Sequence, residues 1–341
     1  MNCFKGDTAD QVWRQTAKAL LSVEDNIQNS RLGRTIELLH VGFEIESPRD
    51  RWVYSRQPSI NPAYAIADIF WILGGRNDAE FVNHWHPKLP NFSGKTDQYY
   101  GAYGYRIRKQ FGFDQLQHAY DVLRNNIDSR QVVLQIWDPK KDMPDSAGQP
   151  ASLDIPCNIC SILKVRKSRL EWLQVMRSND VFRGMPYNII QFTTLQEILS
   201  GWLGIEMGSY NHISDSLHCY ENDTPVFHVA SDNNFLGNTE SLALPKDESD
   251  VVIDELSNIL DKLTQPTITK QKIMVLCRGE NLPDSYRNLL VIAAADSVRR
   301  RGWDEEDIEQ LVTHCTNPAL SLVWENWYQR VRIGLNRSKP V

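Results

Sequence analysis

Residues 158–203 restrict the fold of this chain most. The stretches 158–165 and 170–176 read as two strands joined by the charged turn Arg166-Lys-Ser-Arg169. A long, largely apolar helix follows over 186–203. Between strand and helix the chain reads Arg177-Ser-Asn-Asp-Val-Phe-Arg-Gly-Met-Pro-Tyr-Asn188. Turn chemistry explains any one of Asp180, Arg183 and Gly184, but it is a weak account of all of them together.

The rest of the first 245 residues mixes strands and helices. Residues 8–22 have helical spacing and a good cap. Asn29-Ser-Arg-Leu-Gly-Arg34 is a polar loop, 38–45 a strand, and 63–73 an apolar helix ended by Gly74-Gly75. Residues 86–104 are expected to form a long loop, of a length that often carries function. A helix over 113–125 and a buried strand over 131–137 precede a polar insertion at 140–152. Another strand covers 205–212, and 222–248 reads as loop. Beyond that only helices are expected, near 250–264, 283–301, 304–314 and 317–332. The fold class is α+β. The division is a catalytic domain at 1–245 and a helical C-terminal extension at 246–341 packed on it.

The chemistry-bearing residues cluster around one thiol. Cys157 lies in Asp154-Ile-Pro-Cys-Asn158, twenty residues before Arg177. A lone free cysteine is most often a core residue. A thiolate near a guanidinium is a strong nucleophile, because the cation lowers its pKa. Cys157 and Cys160 form a Cys-x-x-Cys, but no second ligand pair exists for zinc. Strand alternation would also set the two thiols on opposite faces, so neither a metal nor a redox pair is expected. Arg177 and Ser178 suit a phosphate. Asn188 offers a donor and an acceptor on one planar group, which suits the edge of a heterocyclic base. His218 and Tyr220 could bind sugar hydroxyls, or be an edge-strand His and a half-buried Tyr. Arg130, in Asp128-Ser-Arg130, is a surface cap or a phosphate ligand. Asp68 sits in a helix with little polar face, where an unpaired carboxylate is costly; that favours a functional carboxylate.

Net charge is −6, which argues against a broad nucleic-acid surface but allows a local arginine cluster. No apolar run approaches the roughly 20 residues of a membrane span, and the first residues lack the apolar core of a signal peptide. Six scattered cysteines do not form a disulfide framework in a chain of this length. A cytoplasmic location is expected.

Pro156-Cys157 followed by Arg177 through Asn188 resembles the thymidylate synthase family, including its pyrimidine nucleotide hydroxymethylases. The resemblance runs from about residue 10 to about 225. Weaker matches fall in order: the Arg31 loop, the Asp68 helix, Tyr103-Gly104, Asp128-Ser-Arg130, and His218-Cys-Tyr220. It implies a thymidylate synthase-like fold, with a large mixed sheet flanked by helices, and 5,10-methylenetetrahydrofolate as co-substrate. Cys157 would add to C6 of a pyrimidine nucleoside monophosphate, and C5 would then take up the one-carbon unit. Water held by Tyr103 would remove the C5 proton; hydride would then give methyl, and water hydroxymethyl. Arg31, Arg177 and Ser178 would bind the 5′-phosphate, with Arg130 crossing from the second subunit of a homodimer. Asp180, Gly184 and Trp85 would hold the folate, His218 and Tyr220 the sugar. Asp68 and Asn158 join Cys157 and Tyr103 in the catalytic set.

The departures from the family pattern are informative. Asp68 stands where synthases have Glu, Asn158 where they have His, and Gln131 where they have a second dimer-crossing arginine. Gly334 through Val341 has no evident match to the tail that closes over folate. The pattern is closer to the cytidylate hydroxymethylases of nucleoside-antibiotic pathways. Asn188 points to uracil, and a flipped amide would permit cytosine. Hydroxymethylation of CMP, dCMP, dUMP or UMP is the leading reading. A thymidylate synthase making dTMP and dihydrofolate is the second, and an inactive nucleotide-binding regulator the third.

Overall fold

The computed structural model describes residues 1–23, 26–230 and 235–337. Its strands are β1 (Asn2–Gly6), β2 (Ile27–Ser30), β3 (Gly33–Ile45), β4 (Arg56–Gln57), β5 (Val132–Gln135), β6 (Asn158–Arg166), β7 (Arg169–Asp180), β8 (Glu206–Tyr220) and β9 (His228–Val229). Its helices are α1 (Ala9–Leu21), α2 (Pro62–Leu73), α3 (Ala79–Trp85), α4 (Pro90–Ser93), α5 (Tyr103–Tyr105), α6 (Gln115–Asn125), α7 (Pro139–Asp142), α8 (Met185–Leu203), α9 (Lys246–Thr264), α10 (Lys270–Leu276), α11 (Asp284–Arg300), α12 (Glu305–Val312) and α13 (Pro318–Arg337).

Seven strands form one mixed sheet in the order β1-β3-β8-β7-β6-β5, with β2 paired to β3. The β1–β3 and β7–β8 pairs are parallel and the others antiparallel. This is the α+β architecture expected from sequence. Lys167 and Ser168 both have positive φ, the geometry of a tight two-residue hairpin, and so join β6 to β7. The β7–β8 register sets Asp180 beside His218. Helix α8 is buried over almost its whole length and ends at Gly204 in the left-handed conformation.

The structure differs from the sequence reading at several local points. Asn29 through Arg34 is the tip of the β2–β3 hairpin rather than a free loop; β2 is largely exposed, so it carries no alternation to read. The β8 strand runs on through Tyr220, which puts His218 and Tyr220 in the sheet. Strand β1 and helix α10 went unread. Gly334 to Arg337 continue α13, and residues 338–341 lie outside the described residues.

Helix α2 is the hub. Asn61 caps it by accepting from the Ala63 and Tyr64 N–H groups. Helices α3, α5, α8, α9, α11 and α13 all pack against it. One continuous apolar core runs from Trp13 and Val41 through Ile66 and Ile190 to Leu290 and Trp324. The close approach of α5 depends on Gly104: a Cβ there would lie 2.3 Å from the Ile72 carbonyl oxygen and 2.4 Å from its Cα. Both are backbone atoms, so neither can swing away. Gly104→Ala is expected to cost about 3 kcal/mol, measurable as a lowered denaturation midpoint in urea. An unchanged midpoint would refute this packing.

Candidate active site

A cavity of roughly 380 Å³ opens between the sheet end of β7–β8, the start of β6, helices α2 and α8, and the 86–104 segment. Among its lining residues are Arg31, Asp68, Tyr103, Cys157, Ser178, Asp180, Gly184, Asn188, His218 and Tyr220. These come from seven stretches of chain, and the fold brings them to one space. Four expected residues are not on its wall. Trp85 is fully buried among Phe81 and His84, as a core ring. Arg130 is exposed just before β5. Asn158 is fully buried behind the wall, where Gln174 Nε2 donates to its Oδ1 at 2.7 Å. Arg177 turns from the cavity to the backbone of the nucleophile segment.

That turn gives Arg177 a defined part. Its Nε donates to the Pro156 carbonyl at 3.0 Å and its Nη2 to the Ile155 carbonyl at 3.2 Å. Its backbone N–H donates to the Cys157 carbonyl at 2.9 Å, and its guanidinium lies over the Trp137 ring. Arg177 thus fixes the three residues that end in the thiol. Burial pushes the Cys157 thiol up; Arg177 opposes this, while Asp154 and Asp180 add to it. Burial outweighs the cation, contrary to the depression expected from sequence. Arg177→Met is expected to raise the thiol pKa further and to slow alkylation by iodoacetamide at pH 8 by roughly threefold or more. An unchanged rate would separate the cation from the thiol.

Three other groups line the same cavity. Asp154 accepts from the Gly101 N–H at 2.8 Å, tying the 99–105 segment to the nucleophile segment. Tyr103 is half-buried; desolvation and the nearby Cys157 push its phenol far up, so it is a lasting O–H donor. Asp68 is 5% exposed, and burial pushes its carboxyl up to about 7; the bond from Gln191 Nε2 pulls the other way.

The far wall is built by the turn after β7. Asp180 Oδ1 accepts from the Phe182 N–H at 2.9 Å and the Arg183 N–H at 2.7 Å. Its Oδ2 is buried with no hydrogen-bond partner among the described residues. Burial raises its carboxyl, opposed by His218 and the two N–H groups. The Arg183 guanidinium grips Asp223 through two bonds of 2.6 and 2.7 Å and lies between the Phe92 and Tyr220 rings. Arg31 donates to the Phe92 carbonyl at 2.9 Å.

Sequence reasoning missed Asn179, Arg183, Gln191 and Asp154 as site residues. Gln191 carried a usable signal, since it lies one turn after Asn188 on the same helix face. Asn179 and Arg183 sat inside the motif itself.

The sequence profile of the thymidylate synthase family matches residues 56–246, more than half of the chain and nearly all of the cavity wall. The chain belongs to the thymidylate synthase family. A deoxyuridylate hydroxymethyltransferase of Bacillus phage SP01 is 31% identical over 234 residues, covering 65% of this chain and 60% of the phage protein. One from Pseudomonas phage M6 is 33% identical over 176 residues, 51% and 49% of the two chains. A putative thymidylate synthase of Methanothermobacter thermautotrophicus is 26% identical over 212 residues, 61% of this chain and 89% of the archaeal one. The matched region therefore spans about half to three fifths of the phage proteins' length. Among the described residues no helix is long and apolar enough to cross a membrane, and no His, Cys, Asp and Glu cluster could hold a metal ion.

Proposed function

We propose that the protein transfers a one-carbon unit to C5 of a pyrimidine nucleoside 5′-monophosphate, leaving hydroxymethyl, with Cys157 as the nucleophile. The observation that carries this is the meeting of Cys157, Tyr103, Asp68 and Asn188 on one cavity wall. Such a wall offers a nucleophile, a lasting hydrogen-bond donor, a carboxyl that titrates near neutrality, and a base-edge amide. The names of the phage relatives favour dUMP and the hydroxymethyl product.

Methylenetetrahydrofolate fits the remaining wall. Asp180 Oδ2 is a buried acceptor without a partner, suited to the N–H groups of a pterin. Gly184 lines the same cavity close by in the chain. The bound folate would supply the one-carbon unit.

The protein's own groups divide the rest of the work. The Cys157 sulfur gives up its proton and bonds to C6, and the electron pair of the C5–C6 double bond moves onto the C5 side, making C5 nucleophilic; once water has added to the C5-linked methylene, the C6–sulfur bond breaks, restoring the double bond and the free thiol. Tyr103 orients a water toward the C5 proton. Asp68, half-ionised near neutral pH, takes up and returns a proton beside the base. Arg31 and Ser178 bind the phosphate with Arg130 of the partner subunit, and His218 and Tyr220 bind the sugar. Arg177 acts here as the clamp of the nucleophile segment. The exposed Leu39 and Val133 on the sheet suit a homodimer. Residues 1–245 form the catalytic unit, and of the later helices α9, α11 and α13 brace α2.

Incubation with methylenetetrahydrofolate and each of dUMP, UMP, dCMP and CMP, read by mass spectrometry, tests the proposal. Hydroxymethyl nucleotide with tetrahydrofolate is expected. Methyl product with dihydrofolate would make it a thymidylate synthase, and no product with any nucleotide would sink the enzymatic reading.

A further inference from the structure

The amide of Asn188 is tethered from behind. Its Nδ2 donates to Asn179 Oδ1 at 3.2 Å. Asn179 is 2% exposed, and its own Nδ2 faces Ser214 Oγ at 3.1 Å and His212 Nε2 at 3.3 Å. His212 Nε2 lies 3.1 Å from Ser214 Oγ, and its Nδ1 lies 3.1 Å from the Tyr210 hydroxyl. The ring is stacked on Phe43, with centroids 4.6 Å apart and planes 7° apart. Ser214, His212 and Tyr210 are all buried. Burial pushes the imidazole down to about 3, so the ring is neutral and carries one N–H.

This chain has a direction. Ser214 Oγ and His212 Nε2 offer acceptors to the Asn179 amino group, which leaves Asn179 Oδ1 toward Asn188. A carbonyl oxygen only accepts, so Asn188 must turn its amino group to it. Reversing Asn188 alone would set two carbonyl oxygens against each other in a buried place. Reversing both amides would require the ring proton on Nε2 or the Ser214 hydroxyl to donate instead. The direction matters because uracil presents a donor at N3 and an acceptor at C4, while cytosine presents the opposite order. An amide held one way round therefore matches one base and opposes the other.

We propose that Asn179 is a specificity-determining positioning residue: through Asn188, Ser214 and His212 it fixes which way round the base-reading amide faces, and so whether the site takes uracil or cytosine. The inference rests on the nucleotide reading above and deepens it. It concerns binding of the base, so it can be tested without turnover.

The test is calorimetric titration of dUMP and dCMP into wild type, Asn179→Leu, Asn179→Asp and Ser214→Ala, with thermal melting of each. Wild type is expected to separate the two nucleotides by at least about tenfold, because a mismatched edge leaves buried groups unpaired. Asn179→Leu frees the Asn188 amide, and the ratio of the two dissociation constants is expected to fall by roughly tenfold. Asn179→Asp presents only acceptors to Asn188 whichever way it turns, so it should keep the ratio within about threefold. Ser214→Ala removes an anchor and should lower the ratio by at least about threefold, which keeps the test alive if the leucine variant does not fold. An unchanged ratio in a folded Asn179→Leu or Ser214→Ala protein overturns the inference, as does wild-type discrimination below threefold. Wild type that binds neither nucleotide instead sinks the pyrimidine-nucleotide reading itself.

Discussion

Cys157→Ala is expected to lower turnover by at least about 10⁴-fold while leaving the fold intact, since removing a nucleophile removes the step it performs. The two effects separate because the thiol holds nothing together. Cys157 forms no disulfide, and the bonds that fix its segment run through backbone carbonyls of residues 155–157. Those bonds survive the loss of one sulfur atom, so the melting midpoint should move by no more than about 1 kcal/mol of stability. A second readout isolates the covalent step. With 5-fluoro-dUMP and methylenetetrahydrofolate, wild type should accumulate an adduct visible by mass, and the alanine variant should not. The pH course carries a sign as well. Because burial holds the thiol up, the thiolate fraction in the free protein grows as pH rises through and above neutrality. Adduct formation by the free protein should quicken over that range. Retention of a tenth or more of the turnover by Cys157→Ala would exclude nucleophilic catalysis by this residue.

The sequence showed the thiol and its neighbours but not their supporting geometry. The motif from Arg177 to Asn188 is contiguous, so its residues could be read as a group before any fold was known. The β6–β7 hairpin and helix α8 were legible because their patterns are local: strand, charged turn, strand, apolar helix. The hairpin at Arg31 was not, because β2 is largely exposed and shows no alternation. Arg177 could be recognised as a cation near the thiol, yet only the fold shows it spent on the Ile155 and Pro156 carbonyls. The balance between that cation and burial at Cys157 is also three-dimensional. Trp85 and Asn158 were plausible from position alone, and both lie behind the wall rather than on it. Asn179 depends on contacts with β8 residues more than thirty positions away, which no spacing rule encodes.

Asp68 shows the opposite case, where a cost visible in the sequence turns out to have a measurable size. A carboxyl in a helix without a polar face is held up to about 7 by burial, against an ordinary value of 3.8. Between those values the folded chain binds a proton that the unfolded chain releases, so stability falls as pH rises through that window. The full difference is on the order of 4 kcal/mol, fully present as destabilisation above pH 7 and absent below about pH 3.8. Asp68→Asn removes the ionisation and keeps an amide that can meet the Gln191 carboxamide. It is expected to stabilise the protein by up to about 4 kcal/mol at pH 8, by less at pH 5, and hardly at all at pH 3.5. The titratable groups that feel its charge do not supply another explanation: Tyr64, Tyr103 and Tyr187, on α2, α5 and α8, are themselves pushed up and stay neutral. Turnover should move the other way, dropping by roughly 10²- to 10³-fold, because the amide cannot take up or return a proton. Urea denaturation at the three pH values, paired with the turnover assay, measures both. A variant that gains stability without losing turnover would mark Asp68 as a buried liability with no catalytic part. One that loses turnover without gaining stability would show that the carboxyl is not held near 7. Only the joint result, more stable and less active with the gain confined to higher pH, fits a carboxyl that the fold keeps buried at a cost because the chemistry needs it.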